Sequence, residues 1–576
     1  MRIKHFFGLA VLAAMTASCS SNNDLVVGGG NGSGENESGV SYASFSINLP
    51  TTSGTRATGD PTFEDGNPNE YKVNDATLLI FKKGKATKED EYTFVESAEL
   101  GSMAPWKDPK EPGVTTHAKI TAKLDNVNKT DKFFALVLLN NGTGTNAKVT
   151  LPGKDEMFSV WNAAKNAKDK FTTTDNGFYM ANAPLFKDNN VTTLVPIESS
   201  KIYPTEEQAA KNAATDVYVE RGLAKVTLGS STTEDKTVKD GAYKDDKVTI
   251  SKWALDVTNK KTFPIHNVNG LKEAYADIWS NKATPASSNG ANTQRFVDNN
   301  TATIAKRVYW GEDPNYSDNN LCKADETGIN ALKKEFNYVA NADVTADPGK
   351  PLYCLENTFN LANMMQGQTT RIIFKATYTP ASLPKGEKTF YKIGKNTAIW
   401  READLVKEIK AAVASVFSGV TTDKITVNLD AEDNKITAAG THYIAAVNIT
   451  VAGVTTITPE NITAINTQLG LNETKKVGIS TYAGGESYYI ARIKHFGDVL
   501  TPWSSGGYGS DNLSFLGRYG MLRNNWYELT VSSVSGPGYP SVPEVKPNTP
   551  DDEDDKYISV SVKILKWAKR TQDVKL

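Results

Sequence analysis

Cysteine is nearly absent. Three occur in 576 residues, at Cys19, Cys322 and Cys354, too few for the disulfide framework that staples small secreted domains. Histidine is scarce as well. His5, His117, His266, His442 and His495 are scattered along the chain and form no metal-ligand spacing. The formal net charge is −2, so there is no electrostatic case for nucleic acid. No Gly-x-Ser-x-Gly elbow and no His-Glu-x-x-His motif occurs. The acidic run Asp551–Asp555 lacks the glycine and the spacing of a calcium loop. No stretch approaches the roughly 18 apolar residues of a membrane span. These absences leave the sequence without a catalytic residue, a metal ligand or a cofactor site, and the expectation is a protein that is not an enzyme.

What is present is short, one-sided alternation. Ala43, Phe45, Ile47 and Leu49 alternate with Tyr42, Ser44, Ser46 and Asn48, and Pro50 comes next. That period of two marks a strand with one buried face. Runs such as Ala76–Phe81 and Lys132–Leu139 read as buried strands, the latter ending in the turn Asn140-Asn141-Gly142. Thr205 with Gln208 reads as a capping box opening a short helix. From Asp216 the strand pattern restarts, which places a domain boundary near there. One amphipathic helix, Arg401–Phe417, turns Leu405, Val406, Ile409, Val413 and Val416 to one face. Its polar side mixes charge signs, which favours packing on a sheet over lying on a membrane.

The two ends carry the functional signals. Arg2 and Lys4 precede the apolar run Phe6–Met15 and then Thr16-Ala17-Ser18-Cys19. This is a secretory signal whose end matches a bacterial lipoprotein site, with Cys19 as the lipidated residue. An ordinary signal peptide with an incidental cysteine is the alternative. Ser20–Gly39 is a polar, glycine-rich linker. After the first strand, TTSGTRATGD (51–60) is a small, polar loop of the kind proteases cut. Arg56 stands in it as the sole Lys or Arg between Lys4 and Lys72, although a surface arginine alone would look the same.

At the other end, Gly536–Lys556 is rich in proline and closes on five acids. It reads as an extended, solvated spacer. Beyond it, in YISVSVKILKWAKRTQDVKL (557–576), Ile558, Val560, Val562 and Ile564 share one parity. The alternation slips at Ile564–Leu565, where a bend or bulge is expected, and Leu565 and Trp567 fall on the other parity. A second short strand would close on Val574 and Leu576. Two arrangements satisfy this pattern. The strand folds back on its own domain, or it is held ready for a sheet some distance away.

Several stretches in order, VYVERGLAKVTL (217–228), KWALDVTNKKTFP (252–264), LYCLENTFN (352–360), YYIARIKHFGD (488–498) and LRNNWYELTVSSV (522–534), together with the C-terminal strand, resemble the fimbrillin family, in particular the Mfa-type (minor fimbria) shaft subunits of type V pili. The resemblance runs from about residue 41 to the end and is weakest over 401–477, which reads as a local insertion. It implies a mostly β chain of two antiparallel β-sandwich (transthyretin-like) domains, at 57–215 and 216–535. Before them lie a lipoprotein signal peptide (1–19) and a linker with a removable strand (20–56). After them lie a spacer (536–556) and a donor strand (557–576). It further implies lipid on Cys19 and cleavage of the Arg56–Ala57 bond by an arginine-specific surface protease. Phe45, Ile47 and Leu49 would leave with the displaced strand, and Ile558, Val560, Val562, Ile564 and Trp567 would act as the donor. The partners implied are further copies of the chain, anchor and tip fimbrial subunits and the outer membrane, with a role in adhesion or biofilm formation. A monomeric surface lipoprotein or tip adhesin, with Trp503 and Tyr508 lining a glycan site, is the alternative. Whether Cys322 pairs with Cys354 is left open by the sequence.

Overall fold

The computed structural model describes residues 40–50, 70, 72–100, 114–167, 171, 177–187, 190–268, 306–308, 310–496, 501, 515–551 and 558–566. The chain is mostly β with a few helices. The first sheet contains strands β1 (Ser41–Pro50), β2 (Ala76–Lys82), β3 (Thr93–Glu99), β4 (Val114–Leu124), β5 (Phe133–Leu139), β6 (Met180–Asn182) and β7 (Thr215–Arg221). Their spatial order is β3-β2-β5-β6-β7-β1-β4, with Val195–Ile197 added on β5. The alternation of β1 appears as burial: Ala43, Phe45 and Ile47 are fully buried in a core shared with Leu78, Ile80, Leu136 and Val217.

The chain passes from this sheet to the next at Gly222. A Cβ there would meet Tyr179 at 3.1 Å and Phe171 at 3.4 Å, so a larger residue would fit only if those rings gave way. Strands β8 (Leu223–Leu228), β9 (Lys247–Asp256), β10 (Leu352–Leu355), β11 (Arg371–Thr379), β12 (Phe390–Ile393), β13 (Ile479–Tyr482), β14 (Glu486–Arg492), β15 (Asn525–Val534) and β16 (Ile558–Lys566) come after it. They form a sheet in the order β10-β8-β15-β16, a second in which Lys236–Thr237 leads to β9-β11-β14, and a third in which β12 pairs with β13 and β13 with Gly440–His442. Trp253, Phe374, Tyr489, Tyr527 and Leu529 lie in the core common to the first two of these. The strand pattern of the sequence suggests a boundary near residue 215. In the fold the sheet changes at Gly222 and packing continues across it, because Leu223 and Leu355 belong to the first core.

Helix α1 (Glu206–Lys211) is capped as its sequence implies, the Thr205 hydroxyl accepting from the Gln208 amide. Helix α2 spans Glu326–Glu335, and α3 (Glu402–Val416) buries Leu405, Ile409, Ala412 and Val413. Rather than covering either large sheet, α3 packs with α4 (Pro459–Gln468) in a separate core with Ile425, Ile449 and Ile479. That lobe is inserted between β12 and β13, which pair antiparallel at its base. Cys354 is buried and Cys322 partly so, and both are free thiols. No helix among the described residues is long and apolar enough to cross a membrane.

Candidate functional site

Strand β1 lies between two partners. It pairs antiparallel with β4 from Ser41↔Leu124 to Leu49↔Thr116, and parallel with β7 from Phe45↔Thr215 to Asn48↔Tyr218. Without β1, β4 would have no neighbour on that side and both strands would expose a row of unpaired backbone groups. Two members of the proposed displaced strand, Phe45 and Ile47, face the core. Leu49 pairs with Thr116 on β4.

The outer face of β1 is covered as well, which its sequence does not announce. Tyr42 exchanges two backbone hydrogen bonds of 2.8 Å with Tyr203, just before α1. Ser44 is only 1% exposed because α1 lies over it. The Ser44 hydroxyl donates to the Ala209 carbonyl at 2.8 Å and sits 2.7 Å from the Thr121 hydroxyl. Lys119 donates to the carbonyls of Ala210 and Asn212 at 2.9 and 2.8 Å. Alternation assigns Ser44 to the exposed face. Only the path of residues 203–212 reveals that the face is closed.

The loop carrying Arg56 and Ala57, like Cys19 and Trp567, lies outside the described residues. Downstream of that loop, Glu70 is firmly held. It is 1% exposed, meets Lys225 at 2.8 Å and accepts from the Tyr353 hydroxyl at 2.5 Å. Its carbonyl accepts from Arg221 at 2.9 Å. Lys225 also lies 3.8 Å over the Trp526 ring. The chain beyond the loop is therefore anchored to β7, β8, β10 and β15 together.

A second buried cluster ties β7 to the foot of β15. His266 lies between Glu220, 2.9 Å from Nδ1, and Glu356, 3.2 Å from Nε2. Arg523 completes the set, 3.1 Å from Glu356. Burial pushes the His266 imidazole down, but Glu356 and Glu220 outweigh it and carry the group up to about 9. Burial raises the Glu356 carboxyl, and His266 with Arg523 reverses that and holds it at about 2. The His266 imidazolium and the Glu356 carboxylate are therefore both charged at neutral pH.

At the C-terminal end the structure corrects one expectation and decides between two arrangements left open. Gly536–Asp551 is extended but held against the rest of the chain, with Glu544, Lys546 and Asn548 exposed. Tyr539 exchanges two backbone bonds of 2.8 Å with Tyr488. Tyr489 donates to the Gly536 carbonyl at 2.8 Å and Arg371 to the Pro543 carbonyl at 2.7 Å. Asp551 is fully buried and accepts from the Thr369 hydroxyl at 2.8 Å. Proline lacks a donor but keeps a carbonyl, so a strap rich in proline can be fixed from outside by donors distant in sequence. For Ile558–Lys566 the sequence leaves open a strand folded back on its own domain or one held ready for a distant sheet. It forms β16, antiparallel to β15. Ile558, Val560, Val562 and Ile564 stand opposite Val534, Val531, Leu529 and Tyr527. The pairing runs on through Ile564 and Leu565, and the irregularity falls instead on the partner, between Val531 and Ser533. The arrangement in which the strand folds back on its own domain is the one observed. β1 and β16 thus lie in different sheets.

Residues 480–573, which hold β14, β15, β16 and the strap, match the family model described as major fimbrial subunit protein type IV, Fimbrillin, C-terminal. No curated protein matches the chain. Among solved structures, a putative cell adhesion protein from Parabacteroides distasonis ATCC 8503 aligns at 12% identity. The alignment covers 92% of this chain and 98% of that one, with a TM-score of 0.37. A fimbrial assembly protein from the same organism aligns at 12% identity over 62% of this chain and 93% of that one, with a TM-score of 0.26. Over residues 480–573, then, the chain is similar to the C-terminal region of the fimbrillins, the family that its ordered motifs resemble.

Proposed function

We propose that this chain is a structural subunit of a cell-surface fimbria, exported as a lipoprotein precursor and polymerised by exchange of strands between copies. The observation that carries the reading is the position of β1. It fills a groove between β4 and β7, and it is joined to the rest of the chain through the loop holding Arg56. While the loop is intact, the strand is an intramolecular ligand at high effective concentration and outcompetes any foreign strand. Cleavage after Arg56 removes that advantage. The vacated groove then offers two unpaired edges and an apolar trough, the conditions for β-augmentation. Glu70 is held by Lys225, Tyr353 and Arg221, so after the cut the chain from that residue on keeps its attachment.

The C-terminal strand of a second copy is the proposed occupant, with Ile558, Val560, Val562 and Ile564 turned inward. A groove near one end and an arm at the other make a heterologous contact, which grows a filament instead of closing a dimer. In this reading 57–215 and 216–535 are two β-sandwich domains, Cys19 carries the transient lipid anchor, and the protease, the anchor and the tip subunits are further partners. The test is electron microscopy of the purified precursor before and after an arginine-specific protease. Fibres only after cutting support the proposal, and monomers in both samples refute it. The second reading, a monomeric surface lipoprotein, draws on β16 being paired within its own chain.

A further inference from the structure

The cover over β1 is built to read the strand beneath it. In a six-residue helix the last-turn carbonyls have no intrahelical amide to accept from. In α1 those groups are served from outside. Ser44 of β1 donates to Ala209, and Lys119 of β4 donates to Ala210 and Asn212. The Ser44 proton is committed to Ala209, so the Thr121 hydroxyl donates in turn to Ser44. Ala209 is itself fully buried. An apolar side chain in place of Ser44 would strand a buried carbonyl and a hydroxyl together. A long one would have to displace the helix.

We infer that this notch selects the register of whichever strand fills the groove, and that in a second copy of this chain Ser559 takes the place of Ser44. The inference rests on the strand-exchange reading above. Only one alignment of the arm meets both demands, a hydroxyl under Ala209 and an apolar residue at every inward site. Running in the direction of β1 with Ser559 at Ser44, the arm places Ile558, Val560, Val562 and Ile564 at the sites of Ala43, Phe45, Ile47 and Leu49. Shifting by two, so that Ser561 lies under Ala209, brings Lys566 to the Leu49 site. Running the arm the other way brings Lys556 to the Leu49 site with Ser561 in the notch, or to the Ile47 site with Ser559. In the selected alignment Ile558 exceeds Ala43 in volume while Val560 falls short of Phe45. These sites are neighbours on one face, so the excess and the deficit adjoin.

The register is measurable directly. Ser44 stands opposite Thr121 on β4, so residue 559 of an incoming arm would stand there too, near enough for a disulfide. Full-length precursor carrying Thr121→Cys and Ser559→Cys, cut by an arginine-specific protease and oxidised, is expected to give a ladder of linked copies on a non-reducing gel. Thr121→Cys with Ser561→Cys is expected to give none. A ladder from the second pair would overturn the register while leaving the arm as donor. Fibres with no ladder from either pair would overturn the donor reading as well. Without added cysteines, Ser559→Val should lower the rate of fibre growth at least tenfold and Ser561→Val less than twofold. Equal rates for the two variants would remove the notch as a selector.

Discussion

Two strands of nearly equal length, ten residues in β1 and nine in β16, carry the same kind of alternation. They occupy opposite kinds of place. β1 has a partner along each edge, a core on one face and a helix over the other. β16 ends its sheet and pairs along one edge only. Removing β1 would divide the first sheet and free β4. Removing β16 would leave β10, β8 and β15 joined as they are. A strand embedded like β1 is released only by some event that breaks its attachment, whereas a strand at an edge can leave by giving up one ladder. The asymmetry is what a subunit needs if one strand must be locked until processing and the other must be available for transfer.

The largest effect expected of any single substitution concerns the locked strand. Arg56→Ala keeps the tether, so the precursor should fold and be exported yet yield no fibres after protease treatment, a loss of at least a hundredfold by size exclusion. Thr55→Arg in the Arg56→Ala background should restore cutting and fibres, with N-terminal sequencing of the product placing the new bond. Fibres of the Arg56→Ala protein that begin at Ala57, or that retain Tyr42, would break the comparison by showing that β1 is not held through that loop.

The available strand is tested by Val560→Asp and Val562→Asp. Each would place an unpaired carboxylate in the apolar trough of a neighbouring copy. Circular dichroism of the uncut precursor checks that each variant folds, and elongation should fall at least tenfold. Unimpaired fibres from both variants would refute the donor role.

Much of this is legible in the sequence because it is local. The burial of Phe45 and Ile47, the cap at Thr205 and the apolar face of α3 come from period and spacing. Other features depend on partners far away in sequence and leave no local mark. Ser44 has the alternation of a solvated residue, and only Ala209, 165 positions later, makes it a buried one. The strap misleads for the same reason. Its prolines and acids describe a chain that cannot make its own structure, yet Arg371, Tyr489 and Thr369 supply the structure from outside. For α3 the spacing of apolar residues defines the face but not its cover, which is a lobe of its own.

A smaller effect sharpens the contrast within β1 itself. In the uncut precursor, Phe45→Ala opens a cavity in a fully buried site and should cost about 3–5 kcal/mol. Ser44→Ala removes the partner of one buried carbonyl and should cost about 1–3 kcal/mol. Urea unfolding of the two variants measures both. A negligible loss for Ser44→Ala would mean that α1 does not close tightly over the strand.

The mildest perturbation is pH, and it addresses what the two strand sites share. Glu220 sits at the end of β7, beside the β1 groove. Arg523 lies two residues before β15, the partner of β16. His266 and Glu356 join them. The imidazole is raised from its ordinary 6.5 to about 9, so its stabilising contribution is complete below 6.5 and lost as pH rises through about 9. The Glu356 carboxyl is lowered from 4.5 to about 2. Its contribution is complete above 4.5 and lost as pH falls through about 2. The two together put the plateau of stability between 4.5 and 6.5, with a decline on the alkaline side that begins within the physiological range. Urea midpoints of the precursor should fall between pH 6.5 and 9, and His266→Gln should flatten that decline while lowering stability at pH 6. A decline of unchanged slope in His266→Gln would assign it to other groups. If the slope vanishes, the decline belongs to the His266 imidazole, whose carboxylate partners Glu220 and Glu356 lie on β7 and just after β10.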